Sequence, residues 1–231
     1  MTLYETIYTR RQVRKFNMTP LESQTLENIL TCVSEADQIA GQSARFEIAS
    51  AESVSGGKSA PHYLLSYCDS NSAAYANVGY VLQKADLYMQ SIGLGSGWFA
   101  GSKPKINSEN HCIALAFGST DTPMRKELAE FKRLPIENIS SVDNSIARAV
   151  RLAPSAMNSQ PWKLEFEDGK VIVKDFGRGL LRLVLRNKLN KIDIGIAARH
   201  AVIALEHEGK EVTAIVPKIT EKEFEVEISY K

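Results

Sequence analysis

The stretch Gln42-Ser43-Ala44-Arg45-Phe46-Glu47-Ile48 returns 118 positions later as Gln160-Pro161-Trp162-Lys163-Leu164-Glu165-Phe166. In both copies basic, apolar, acidic and apolar side chains alternate after the glutamine, the period-two pattern of a half-buried strand. Outward from the second copy, Asp168-Gly169 separates Trp162 to Phe166 from Lys170 to Lys174. Asp-Gly supplies the positive-φ turn that tight hairpins favour, so this is a hairpin. Outward from the first copy, Phe46 to Ala51 and Tyr63 to Cys68 read as a strand pair across a Ser- and Gly-rich loop, Ser53 to Ser59.

Helical periodicity fills the remainder. Thr19-Pro20-Leu21-Glu22 joins an N-cap Thr, a Pro at the first helical position and a Glu three residues after the cap, which predicts a helix start. Leu26, Ile29, Leu30 and Val33 continue one apolar face. Asn77 to Ile92 reads as a longer helix with Gly93 as its left-handed cap, and His111 to Gly118 as a buried strand. A short helix is predicted over Arg125 to Phe131, and another over Val142 to Leu152 that stops before Pro154. A basic amphipathic segment, Gly179 to Asn190, leads to a helix from Ile192 to His207 and two strands, Glu211 to Pro217 and Phe224 to Tyr230.

The element order repeats, and the long helices match as well. Gly79 falls on Gly195, Ala85 on Ala201 and Gly93 on Gly209, each 116 positions apart. Two offsets that differ by two residues require one small indel. Chance likeness between two amphipathic helices would explain the helix matches alone; the strand match beside them points to duplication.

Composition excludes several classes. The 231 residues hold 28 Lys and Arg against 27 Asp and Glu, a net charge of +1 that gives neither a basic field for nucleic acid nor an acidic tail. No apolar run reaches the roughly 18 to 20 residues of a membrane span. Met1 to Phe16 carries four Arg or Lys and no apolar core, so a secretory signal is not expected and a cytoplasmic location is. Cys32, Cys68 and Cys112 are too scattered for a disulfide framework or a zinc knuckle, and the four histidines lack ligand spacing, so no metal is expected.

Three motifs could carry chemistry. Arg10-Arg11-Gln12-Val13-Arg14-Lys15-Phe16 could gather guanidiniums on a phosphate or be a solvated basic turn. Ala153-Pro154-Ser155-Ala156-Met157-Asn158-Ser159-Gln160-Pro161-Trp162 could lay amides, Ser and Asn against a flat polar ring, or could be a Pro-pinned connection whose polar side chains cap local backbone. Gly93-Leu94-Gly95-Ser96-Gly97-Trp98-Phe99-Ala100-Gly101 could bring backbone close to a ligand, or be a helix cap and loop. It lacks the placement of a Rossmann fingerprint, and Ser155 lacks the GxSxG elbow of a hydrolase.

Together these segments resemble the FMN-dependent nitroreductase family. Its Arg-Arg-Ser-x-Arg-x-Phe segment is matched by Arg10 to Phe16 with Gln12 in the Ser position. Its Ala-Pro-Ser-x-x-Asn-x-Gln-Pro-Trp segment is matched by Ala153 to Trp162, and its Gly-Leu-Gly-x-x-Trp segment by Gly93 to Trp98. The order differs, because the Ala-Pro-Ser segment comes early in ordinary members and last here. The family places FMN at a homodimer interface, so the resemblance implies two tandem halves, 1–135 and 136–231, folded as an intrachain pseudo-dimer. The implied fold is α+β, a nitroreductase-like α/β/α sandwich with a central, mainly antiparallel sheet. One intact FMN site is implied, and a degenerate one where Ala36-Asp37 and Ala40 stand for Pro154-Ser155 and Asn158.

By the same resemblance Arg10 and Arg11 would bind the FMN phosphate, with Gln12 and Arg14 near the phosphate or ring carbonyls. Pro154, Ser155 and Asn158 would meet the ring and ribityl chain; Ala100 and Gly101 would offer a backbone N–H to the reactive flavin nitrogen; Arg125 and Lys126 match a late basic pair at the phosphate. The implied activity is ping-pong reduction of a small-molecule acceptor, a nitroaromatic, quinone or relative, with NADH or NADPH as donor. A flavin-binding or regulatory scaffold without turnover is the competing class, and flavin chemistry on other substrates a third. The implied assembly is a monomeric pseudo-dimer, with further self-association open and neither nucleic acid nor membrane as partner.

Overall fold

In the computed structural model of the chain, which describes residues 1–56, 60–177, 187–220 and 223–231, the Asp168-Gly169 hairpin forms as predicted. Strands β7 (Trp162–Glu167) and β8 (Lys170–Asp175) pair antiparallel, and Gly169 takes φ 67° at the turn. They join β9 (Val212–Ile219) and β10 (Phe224–Tyr230) in a sheet of order β7-β8-β10-β9. Strands β1 (Arg45–Ser50), β3 (His62–Tyr67), β4 (Gly95–Phe99) and β6 (His111–Gly118) form another, of order β1-β3-β6-β4. Every pairing in both is antiparallel. The short strands β2 (Val54–Ser55) and β5 (Lys103–Pro104) pair apart.

Each four-stranded sheet therefore runs first, second, fourth, third in chain order. In each a long helix links the second strand to the third: α3 (Ser72–Ser91) in one, α5 (Leu189–His207) in the other. Remaining helices are α1 (Leu3–Ile7), α2 (Ser23–Ser34) and α4 (Ser145–Arg151).

The described chain falls into two compact units. The first comprises Met1–Ala36, Ala44–Ser70 and Leu82–Lys126; the second comprises Asp37–Ser43, Asn71–Val81 and Glu127–Lys231. In the first, Tyr63, Leu65 and Tyr67 of β3 alternate onto one face with Ala114 and Ala116 of β6, where Val54, Ala60, Phe16 and Phe99 complete an apolar cluster. In the second, α5 packs across β8 and β10 with α4 beside it, and every residue from Ile192 to Leu205 is buried. A helix buried all round needs small residues, and Gly195, Ala197, Ala198, Ala201 and Ala204 supply them.

Those small residues allow one close crossing. A Cβ on Gly79 would stand 2.0 Å from the Ile192 carbonyl oxygen, and one on Gly195 would stand 1.8 Å from that of Ala76. Adding 116 to 76 and 79 gives 192 and 195, so the repeat offset exchanges the two contacts. Each helix also ties a loop through a side chain: Asn77 Oδ1 accepts the Ile39 N–H at 2.9 Å, and Asp193, again 116 positions on, accepts the Ala156 N–H.

Four readings of the sequence are corrected. The Gly95 to Phe99 stretch is a strand on β6, not a loop, because β4 fills the place that β9 fills in the other sheet. Helix α2 begins at Ser23 rather than Pro20, because the Leu21 N–H is taken by His62 Nε2 at 2.9 Å, which holds residues 20–22 out of the helix. The predicted Arg125 to Phe131 helix is only a 3₁₀ turn, Leu128–Phe131, ended by Lys132 at φ 51°. Helix α1, held by a Thr2–Glu5 capping box, has no counterpart in the sequence reading. The amphipathic segment at 179–190 lies largely outside the described residues.

His62 has a testable consequence. Burial lowers its pKa from the ordinary 6.5, and the Leu21 N–H needs Nε2 unprotonated as an acceptor. The folded state thus binds this proton more weakly than the unfolded chain, so stability is complete above pH 6.5 and is lost as pH falls through and below it. Urea unfolding should show about 1 kcal/mol more loss between about pH 7.5 and pH 5.5 in the native chain than in His62→Phe, whose pH dependence is flatter.

Candidate functional site

In the first unit the basic segment lies along β4. The Val13 N–H donates to the Ser96 carbonyl at 2.9 Å, and the Gln12 amide both donates to Trp98 O at 3.0 Å and accepts from Trp98 N at 3.1 Å. Glycine at 95 and 97 serves this packing. A Cβ on Gly97 would meet Val13 O at 2.4 Å, and one on Gly95 would meet Thr120 Cγ2 at 2.6 Å. The space left by these two glycines is taken by protein. Ala100 and Gly101 stand exposed in the turn after β4.

Arg10 is buried, 1% exposed, with Nε 2.9 Å from Asp86 Oδ2. The pair is not aligned as a hydrogen bond, and Arg10 Nη2 also finds no hydrogen-bond partner among the described residues. Asp86 Oδ1 accepts from Ser96 Oγ at 2.5 Å and Gln90 Nε2 at 3.1 Å. The Gln90 amide in turn clamps the Arg11 backbone, accepting from its N–H at 2.8 Å and donating to its carbonyl at 3.0 Å. Arg11 is half-buried and Arg14 exposed. From 115 residues away, Arg125 donates through Nη1 to the Arg10 carbonyl, and its own N–H donates to Thr9 O at 2.8 Å. Lys126 follows it, exposed. Arg125 is thus tied to the basic segment.

In the second unit the Ala153 to Trp162 loop is tightly determined. Pro154 is buried, Ser155 half-buried and Asn158 exposed. Met157, Asn158 and Gln160 take φ 53°, 57° and 48°, a left-handed backbone that non-glycine residues rarely adopt. Ser155 Oγ accepts the Gln160 N–H at 2.9 Å. Asn158 Oδ1 accepts from Arg133 Nη1 while its Nδ2 donates to Lys132 O at 3.0 Å, and Gln160 Oε1 accepts the Leu134 N–H at 2.8 Å. Beneath the loop, both Asp193 oxygens lie 3.1 Å from the Ala156 nitrogen.

Comparison with known families matches residues 2–205 to the family described as "Putative TM nitroreductase". The chain belongs to this nitroreductase family. Its fold is similar to that of a "putative nitroreductase" from Thermotoga maritima, at TM-score 0.73 and 19% identity over 99% of this chain and 94% of that one. It is also similar to a nitroreductase family protein from Clostridium difficile, at TM-score 0.51 and 18% identity over 62% of this chain and 99% of that one. No curated protein matches. Membership supports oxidoreductase as the activity class, and the α+β fold with antiparallel sheets agrees with it.

Several residues that shape these candidate segments were not singled out in the sequence. Asp86 and Gln90 follow Leu82 at spacings of four, polar side chains on an apolar helix stripe, which is the signal of a buried network. Asp193 is likewise a lone acid within an otherwise apolar run. Its carboxyl is pushed well above the usual carboxylate range by burial.

The first-half position that matches Ser155 is Asp37. Its carboxylate receives Arg199 Nη1 at 2.7 Å and the Tyr80 hydroxyl, and the guanidinium lies 3.5 Å above the Tyr80 ring centroid. This loop is occupied by its own ion pair. Among the described residues no helix is long and apolar enough to cross a membrane, and no acidic, His and Cys group could hold a metal ion.

Proposed function

We propose that the chain is an FMN-dependent oxidoreductase that draws on NADH or NADPH to reduce nitroaromatic, quinone or related acceptors. The observation that carries this reading is the Ala153 to Trp162 loop, whose left-handed turn and cross-ties hold Ser155 and Asn158 in one strained arrangement in a member of a nitroreductase family. Strain of this kind persists where a site requires it. When bound, FMN supplies the two-electron chemistry, and the protein holds, orients and tunes it.

The donor set suits FMN in chemical terms. Arg11, Arg14, Arg125 and Lys126 offer cations for a phosphate, and exposed Ala100 and Gly101 offer backbone amides. Half-buried Ser155 and exposed Asn158 offer polar groups for the ribityl chain, whereas Pro154 is buried in this structure. Arg10, tied to Asp86, holds the segment from which Arg11 and Arg14 project. The fused, pseudo-dimeric arrangement is supported by the shared sheet order and the exchanged Gly79 and Gly195 contacts. With the Asp37 loop closed by Arg199, one FMN per chain is expected rather than two.

Titration of the apoprotein with FMN, followed by anaerobic addition of NADH and NADPH, tests this. Saturation near one equivalent and rapid bleaching of the flavin support the reading. No binding in excess FMN overturns it, and binding without bleaching by either nucleotide leaves a scaffold. Arg14→Glu, at an exposed position, should weaken FMN binding about tenfold, roughly 1.4 kcal/mol, at unchanged thermal midpoint. Arg10→Glu is unsuitable for this purpose, because it would set two buried carboxylates side by side.

A further inference from the structure

We propose that Asp193 is the positioning residue of the 154–160 loop: from α5 its buried carboxyl holds the Ala156 N–H and so fixes the turn that presents Ser155 and Asn158. Two observations carry this, and its consequence for flavin rests on the function proposed above.

The first is the economy of contacts around Asp193. It is 3% exposed, and among the described residues it makes no ion pair. Its neighbour Lys191 is committed to Asp175 instead. A carboxyl buried without a cation is retained against a desolvation cost, and the bonds it makes are both to Ala156 N, at 3.1 Å from each oxygen. Immediately after that amide the chain enters its left-handed run at Met157 and Asn158. Other ties act on the far side of the turn, through Arg133 on Asn158 and Leu134 on Gln160. Asp193 is the tie on the near side, next to Ser155.

The second is a control within the chain. Adding 116 to 77 gives 193, and Asn77 on α3 accepts the Ile39 N–H at 2.9 Å, one residue beyond Gln38, the position that matches Ala156 at the 118 offset, where Asp193 accepts. The first-half loop has lost the Pro-Ser-x-x-Asn residues yet keeps the helix-to-loop tie, with an amide in place of the carboxyl. An acceptor, not a charge, is therefore what the position requires. Asparagine should replace Asp193 without loss.

The test compares Asp193→Asn and Asp193→Ala by amide hydrogen exchange at Ala156 and by FMN titration of the apoprotein. Asp193→Asn should keep both within about twofold of the native chain. Asp193→Ala should lose about tenfold or more in protection at Ala156 while the buried amides of α5 stay protected, and should bind FMN about tenfold more weakly, the effect of one hydrogen bond. If the alanine variant does not fold, Asp193→Ser, whose hydroxyl is too short to reach, serves instead. Native exchange and native affinity in the truncated variant overturn the proposal, as does loss of Ala156 protection in Asp193→Asn. A native chain that binds no FMN overturns the flavin reading alone, since the exchange measurement still decides the role of Asp193.

Discussion

Gly195→Ala is expected to yield little or no soluble folded protein, and Gly79→Ala to fare nearly as badly. The added methyl at 195 would lie 1.8 Å from Ala76 O, 2.7 Å from Ala76 C and 2.8 Å from Tyr80 N; at 79 it would lie 2.0 Å from Ile192 O. These obstacles are helix backbone, which has no rotamer by which to yield. Helices α3 and α5 would have to part by more than an ångström along a crossing where Ala76, Val78, Ile192 and Ile196 are at most 2% exposed. Overpacking that side chains can absorb costs about 1–3 kcal/mol; a rigid backbone clash belongs to the exceptional class above about 4 kcal/mol. The higher helix propensity of alanine returns only about 1 kcal/mol. Against a total of about 5–15 kcal/mol, most of the stability is gone. Gly209→Ala is the control: nothing lies within 4 Å of its Cβ position, and only the strain of φ 75° opposes it. Soluble yield and urea midpoint should separate the variants sharply. A Gly195→Ala protein as stable as Gly209→Ala would show that the helices do not cross as described.

Those two glycines also show how far the sequence could be read. A 116-residue offset between Gly79 and Gly195, with the strand match at 118, was enough to infer duplication, and the sheets have the same strand order. Period-two alternation and Asp-Gly chemistry placed the 162–174 hairpin, because those signals are local. Errors came where a distant partner overrode a local preference. Thr19-Pro20 is a sound helix start until His62 takes the Leu21 N–H from 41 residues away. Gly95-Ser96-Gly97 has little intrinsic strand preference; it becomes a strand because β6 pairs with it on one side and Val13 and Gln12 lie on the other. At the candidate site the motif residues were legible as residue types, and the loop conformation was not. Three left-handed non-glycine residues leave no compositional mark, and the acids that support the site, Asp86 and Asp193, sit in helices whose apolar periodicity hides them.

Asp86→Leu is expected to cost about 3–5 kcal/mol, because it leaves the Arg10 guanidinium buried without its counter-ion. Both side chains are at most 1% exposed, so water cannot replace the lost carboxylate. Ser96 Oγ and Gln90 Nε2 lose an acceptor as well. Asp86→Asn keeps an oxygen for these two but not the charge, and should fall between the native chain and Asp86→Leu. The double variant Arg10→Met with Asp86→Leu should be more stable than Asp86→Leu alone, since a buried pair replaced by apolar side chains escapes the cost that a broken pair incurs. Urea unfolding of the native chain, Asp86→Leu, Arg10→Met and the double variant in a double-mutant cycle measures the coupling, and a value near zero would mean that Arg10 and Asp86 do not act as a pair. The same variants separate support from contact. Gln90 links Asp86 to both backbone groups of Arg11, so Asp86→Leu should weaken FMN binding through the placement of Arg11, whereas Arg14→Glu, at an exposed position, should weaken it at full stability. If the double variant regains stability and flavin affinity together, the ion pair serves the proposed flavin site only by holding this segment in place. Stability regained without affinity would instead assign Arg10 a contact of its own with the phosphate.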